Sequence, residues 1–401
     1  MYQLIDLKKV PLYFSIVLVI CLLLFWIQFK ISNPFWSLQP VNHRHQFWRK
    51  YQKCGVINPN FKIWKFLNFI DIQTIPWSDL DESKIKEFEK HIGINFLNRG
   101  DLKYQPSSEK HIIPYFNQDS NAYLSFYRKN NIILGAITNR TLRVHLGNSE
   151  RFAVSYIDYL CVHRGNRKKR IAPELIQTHE YFQRTESNKK CLVSLFKKEG
   201  RLTNIIPLVR FKMNAFKIND ITNDNSNYIS SSNINQGLPS GVSLVKITKS
   251  NINLLYHFLD VIRKEFICFI IAPPETLLET INHNSIHIYT LVQNKEIISA
   301  FFFRETGTYS NSIKENLELF ASLNNSIDDG VFIQGFYTAL EKMKENFKHI
   351  YIEHTGDTHT ILKHLIYQKK KFPIFHSLCA YYLYNYNVNE LKDPSQCCFL
   401  F

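Results

Sequence analysis

The segment from Phe152 to Phe182 places the tightest limit on what this chain can fold into. Phe152 to Val162 reads as a strand and Arg164 to Arg170 as a basic loop. Ile171 to Phe182 reads as a helix, with Pro173 in the first turn where a missing N–H is harmless. A helix N-terminus offers free amides to a pyrophosphate, and Arg167, Lys168, Lys169 and Arg170 add charge-assisted donors directly before it. Asn131 to Thr138 and Thr141 to Leu146 read as two further strands joined by a short polar turn. Strand, strand, strand, basic loop, helix is the order an α/β (α+β) unit needs to hold an acyl-CoA.

The remaining chain repeats this mixed logic around a break. Asp79 to Phe96 has acidic residues early and apolar residues at Ile85, Phe88, Ile92 and Phe96, the period of a helix with a favourable charge at its start. Asn219 to Gly241 is dominated by Asn, Ser and Asp, which cannot bury a core, so 219–241 is expected to be a solvated linker. Beyond it, helices are expected at Asn251 to Phe266 and Gly330 to Asn346. Strands are expected at Ile286 to Val292, Ile297 to Arg304, Ile350 to Glu353 and Ala380 to Tyr386. The expected units are therefore 30–218 and 242–401.

Charge and cysteine usage narrow the function classes. Lys and Arg number 49 against 34 Asp and Glu, a formal charge of +15 that suits an anionic partner. The lysines are scattered along polar faces, so nucleic acid is not the expected partner. The 8 cysteines contain no C-x-x-C pair, and no His pair stands at metal-ligand spacing, so no metal is expected. Dispersed thiols in a chain of 401 residues read as reduced and cytosol-facing.

Val10 to Phe29 is apolar apart from Ser15 and Gln28, and about twenty residues suffice to cross roughly 30 Å of hydrocarbon. It reads as a transmembrane anchor over 10–29, preceded by a short flank over 1–9; it is long for a signal h-region and lacks a small-x-small cleavage site. Lys8 and Lys9 precede it and Lys30, Arg44, Arg49 and Lys50 follow, a bias that favours the C-terminal side in the cytosol.

Tyr156-Ile-Asp-Tyr-Leu-Cys-Val-His163, followed by Arg167-Lys-Lys-Arg-Ile-Ala-Pro173, resembles the first signature of the N-myristoyltransferase family, the glycylpeptide N-tetradecanoyltransferases. Phe35-Trp-Ser-Leu-Gln-Pro-Val41, Tyr381-Tyr-Leu-Tyr-Asn-Tyr386, and Gly237-Leu238 with Val242 onward match further family segments in the same order. The resemblance implies two tandem Gcn5-related N-acetyltransferase-like units that form one N-myristoyltransferase fold. It implies transfer of myristate from myristoyl-CoA, a co-substrate, to N-terminal glycine peptides and proteins, with no cofactor and a monomeric enzyme. It places Phe35, Trp36, Tyr159, Leu160, Cys161, Val162, Arg167, Lys168, Lys169, Arg170, Ile171 and Ala172 around acyl-CoA. The amides of Tyr159 and Leu160 would form an oxyanion hole, and Asp158 and Ser194 would meet the glycine nitrogen. An ammonium with a pKa near 8 needs a base, and the family uses the C-terminal carboxylate, here that of Phe401.

Several positions depart from the family pattern. Asp158 replaces an asparagine, Lys168 replaces a serine, and the acidic run after the first helix is reduced to Asn98-Arg-Gly-Asp101. The second signature survives only as Lys371-Phe372, with Pro373, Phe375, His376 and Ser377 where glycines and an aspartate stand. Lost acidic contacts imply no preference for lysine-rich acceptors, and a catalytically weakened acyl-CoA- or peptide-binding relative is the second reading. A related acyltransferase with another acyl chain or acceptor is a third. Cys398-Phe-Leu-Phe401 also fits a prenylation pattern, which would remove the proposed base and so excludes the catalytic tail.

Overall fold

The computed structural model describes residues 10–61, 65–97, 100–147, 150–185, 191–222, 238–311, 313–326 and 328–401. Its frame is a mixed sheet, 14-stranded among the described residues, with helices packed on it. Strands from the two sides of the polar stretch interleave. Ser194–Glu199 pairs with Phe375–Tyr384, which pairs with Val209–Lys217, which pairs in turn with Phe347–Glu353. Toward one edge, Cys268–Ile271 lies antiparallel to the end of Ile132–Leu146, and Cys397–Leu400 runs parallel beside it. The last residues of the chain are therefore built into the sheet, and Cys397 to Phe401 are all buried.

The strands expected at Asn131 to Thr138 and Thr141 to Leu146 are one strand, Ile132–Leu146. Asn139 and Arg140, whose polarity signals a turn, sit buried in its middle. Asn139 Oδ1 accepts from the Tyr123 amide at 3.1 Å, and its Nδ2 donates to the Asn121 carbonyl at 2.9 Å. Arg140 lies over the rings of Tyr115 and Tyr156, each at 5.0 Å. The hydrogen bonds of Asn139 and the aromatic faces beside Arg140 offset part of the cost of burial, so the backbone need not turn outward.

The expected helices form with shifted ends. Glu82–Asn95 starts at Asp81, whose carboxylate accepts from the Lys84 amide at 2.8 Å. Ile171–Thr185 runs past Phe182, while Ile252–Ile262 and Asp329–Glu341 stop before Phe266 and Asn346. The polar stretch begins later than Asn219, because Ile218–Thr222 is a short helix anchored by buried Ile218 and Ile221. Residues 223–237, including Gly237, lie outside the described ones. Glu315–Asn324, a strand with no alternating pattern, is buried along nearly its whole length inside the sheet.

Val10–Ser32 is a helix of 23 residues whose described side chains are almost all exposed. Among the described residues it is the one helix long and apolar enough to cross a membrane. Its C-terminal end meets the body through Phe29, with ring centroids 5.0 Å from His43 and 4.6 Å from His45. Burial, with His45 adding to it, lowers the His43 pKa to about 4. A neutral imidazole is thus kept against an apolar ring.

Candidate functional site

The strand Glu150–Val162 pairs with Ser194–Glu199 only from Ser155↔Ser194 to Ile157↔Phe196, and the two then part. On its other side the register with Ile132–Leu146 slips between Ala136 and Thr138, so Ile137 stands opposite both Tyr159 and Leu160. This is a β-bulge, which bends a strand and re-aims its groups. Tyr159 takes φ +48°, a left-handed conformation rare for an aromatic residue. Its ring packs edge-on against Phe88 at 5.6 Å, and its hydroxyl donates to the His111 carbonyl at 2.9 Å.

The end of the bulged strand opens on a cleft of about 580 Å³. Leu160, Cys161 and Val162 form one wall, Arg167, Lys168, Arg170, Ile171 and Ala172 another, and Asn95 to Leu97 close it. Lys168 and Arg170 hold φ +67° and +64°, so the chain coils tightly into the helix N-terminus. Arg167 is fixed at the rim, Nη2 donating to the Asn95 carbonyl at 3.1 Å. Most of the residues expected around acyl-CoA therefore share one concave surface. Lys169 follows the loop and Tyr159 precedes Leu160 on the strand, but neither lines the cleft, and Phe35 and Trp36 lie elsewhere. Phe35 is buried against Phe66 with centroids 5.2 Å apart, and Trp36 stacks on Phe196 at 5.9 Å.

Asp158 Oδ1 accepts from the Tyr159 amide at 2.9 Å, so one of the expected oxyanion donors is occupied by the neighbouring carboxylate. Ser194 is buried, its Oγ accepting from Gln183 Nε2 at 3.1 Å. Phe401 is buried with its ring against Tyr156 at 4.8 Å and 5.7 Å from the Arg140 guanidinium. Arg140, Tyr156 and Asp158 lie on one sheet face through the pairs Arg140↔Tyr156 and Thr138↔Asp158. The main-chain oxygen of Phe401 accepts from Arg304 Nη1 at 2.8 Å. Cys398, the candidate prenylation residue, is 1% exposed and paired with Phe269.

The Phe35 to Val41 and Tyr381 to Tyr386 segments meet in a buried polar network. Tyr384 Oη lies 2.5 Å from Gln39 Oε1 and 2.6 Å from Glu180 Oε2, with a single proton to donate, while Gln177 bridges Gln39 and Glu180. Burial raises the Glu180 pKa, against the Tyr384 and Arg184 hydrogen bonds. Sequence patterning gave no sign of this network, because Gln39, the helix Ile171–Thr185 and Tyr384 lie far apart in the chain. Among the departures around the second signature, Phe375 and His376 are exposed. Asn98 and Arg99 lie outside the described residues.

No protein-family model and no curated protein sequence matches this chain. Solved structures do match. A crystal structure of Saccharomyces cerevisiae N-myristoyltransferase with bound myristoyl-CoA has a TM-score of 0.69 at 15% identity, covering 92% of this chain and 99% of that one. Another with bound myristoyl-CoA has a TM-score of 0.69 at 15% identity, covering 89% of each chain. A third, with myristoyl-CoA and inhibitors, has a TM-score of 0.70 at 15% identity, covering 94% of this chain and 98% of that one. The fold of this chain, with its bulged strand opening on a basic helix N-terminus, is the N-myristoyltransferase fold.

Proposed function

We propose that this chain transfers myristate from myristoyl-CoA to the α-amino group of an N-terminal glycine in acceptor proteins. The observation that carries the reading is the cleft, which joins Leu160 of the bulge to Arg167, Lys168, Arg170 and the start of the helix at Ile171. In this reading the basic loop and the amides of Ile171 and Ala172 hold the phosphates of coenzyme A. The Phe401 carboxylate takes a proton from the glycine ammonium, and the freed amine attacks the thioester carbonyl carbon. The amides of Tyr159 and Leu160 hold the oxyanion, the C–S bond breaks, and the departing coenzyme A thiolate takes up the second proton that the attacking nitrogen sheds as the amide forms. Asp158 and Ser194 receive the amine.

Transfer is direct, without an acyl-cysteine. Burial pushes the Cys161 thiol up to about 12 although Arg167 and Arg164 oppose the shift. The catalytic body works as a monomer on the cytosolic face, tethered by Val10–Ser32. Lys30 lies 3.8 Å over the Trp26 ring, a pairing suited to a headgroup region. Labelled myristate should pass to a Gly-initial peptide and not to its Ala-initial control. Equal transfer to both, or full activity after deletion of Phe399 to Phe401, overturns the reading. The Asp158 bond to the Tyr159 amide favours the second reading, a weakened acyl-CoA-binding relative. Normal acyl-CoA binding with no turnover would establish it.

A further inference from the structure

A chain of buried charges lies behind Phe401. Arg304 donates from Nη1 to the Phe401 main-chain oxygen at 2.8 Å, and from Nε and Nη2 to Glu318 Oε2 at 3.0 and 2.6 Å. Arg304 and Glu318 are register partners on adjacent strands, so sheet pairing itself aims the guanidinium. The Phe320 ring lies 4.9 Å from the guanidinium carbon and packs on its apolar face. Beyond Glu318, Lys197 Nζ stands 3.7 Å from Glu318 Oε1 and 2.6 Å from Glu353 Oε1, with Glu199 at the rim 3.3 Å away.

Other groups share this space. From Ile132–Leu146, buried Arg140 presents Nε and Nη1 without a hydrogen-bond partner among the described residues. Asp158 approaches from the bulged strand and acts on Tyr115 and Tyr156, as Arg304 does. Burial raises both phenols and that of Tyr381, so they stay protonated and supply no charge. Glu318 stays ionised: burial would raise it, but Arg304 and Lys197 hold it at about 2. Burial lifts Glu353 to about 7 against Lys197.

We propose that Arg304, aimed by Glu318 and Lys197, is the positioning residue of the C-terminal carboxylate, fixing its orientation and keeping it unprotonated over the pH range of acyl transfer. The proposal rests on the reading of the Phe401 carboxylate as general base. A guanidinium at hydrogen-bond distance favours the charged carboxylate by about 1–3 pKa units. Glu318 competes for the same guanidinium, so Arg304 and Glu318 act on the tail in opposite senses.

The test is the pH profile of kcat/KM in the full chain for Arg304→Gln, Arg304→Lys and Glu318→Gln, beside protein lacking Phe399 to Phe401. Arg304→Gln should move the acid limb up by about one pH unit and lower kcat by about tenfold, with the KM for myristoyl-CoA unchanged. Glu318→Gln should move the limb down. Arg304→Lys, which keeps charge and loses the fork, should leave the limb near its original position while kcat falls. An inactive tail deletion with superimposable limbs in Arg304→Gln and the unmodified chain sinks the positioning role and leaves the base reading standing. Full activity in the tail deletion sinks both. Where Arg304→Gln does not fold, an unchanged kcat in Arg304→Lys overturns the proposal.

Discussion

Tyr159 holds a backbone conformation that costs a non-glycine residue on the order of 1 kcal/mol. Burial of its ring among Phe88, Phe96 and Phe116 offsets that cost and leaves the bulge intact. The consequence for chemistry lies with Asp158. A carboxylate accepts the Tyr159 amide more strongly than a neutral oxygen would, and in the proposed transfer an oxyanion would have to displace it. Asp158→Asn keeps the shape and weakens the competitor, so kcat should rise several-fold, about 1 kcal/mol, with little change in the KM for myristoyl-CoA. Steady-state rates on a Gly-initial peptide check this, and a fall in kcat would show that the carboxylate helps the amine instead. Asp158, Tyr159 and Leu160 are proposed for the site from the resemblance alone, residue by residue. The bulge that turns them is not legible in the sequence, since its cause is a register slip against Ile137 on another strand.

Among elements, the helix Ile171–Thr185 and the strand Ile132–Leu146 decide the shape of the cleft. They touch at Gly135, where an added Cβ would come within 2.7 Å of Leu175 Cδ1, 3.1 Å of Ile171 Cγ2 and 3.2 Å of the Cys161 carbonyl. Gly135→Val is expected to push Leu175 and Ile171 aside and shift the helix N-terminus away from the sheet. Overpacking of this kind costs about 1–3 kcal/mol, and here it also displaces the amides facing the cleft. Lower thermal stability together with weaker myristoyl-CoA binding is expected; a destabilised variant that binds normally would separate the helix position from the site. Strand, basic loop and helix are readable from their own residues. Gly135 carries no such signal, because its constraint comes from side chains 36 and 40 positions later, a separation that only the fold closes.

Across the molecule, the buried charges on Ser194–Glu199, Glu296–Glu305, Glu315–Asn324 and Phe347–Glu353 couple stability to pH. The Glu353 pKa is raised in the folded chain from 4.5 to about 7, so folding binds a proton and the associated stability is lost as pH rises through that window. Glu318 has the opposite sign, its pKa falling from 4.5 to about 2, so its contribution is present above pH 4.5 and lost as pH drops toward 2. Melting temperatures measured from about pH 4.5 to 8 should show Glu353→Gln gaining on the unmodified chain as pH rises. Parallel curves would place the pH dependence elsewhere.

The sequence by itself determined the local pieces: an apolar segment long enough to span a membrane, helices announced by period and caps, and a basic helix start that suits an anion. These follow from residues within a few positions of one another. Tertiary structure alone decided that Ile132–Leu146 runs straight through Asn139 and Arg140, because only distant partners make those buried polar groups tolerable. It also decided that Arg304 reaches Phe401, an interaction across 97 positions. Lys, Arg and Glu in an alternating strand read as solvent-facing until the strands they pair with are known, and pairing between distant strands is a property of the whole chain.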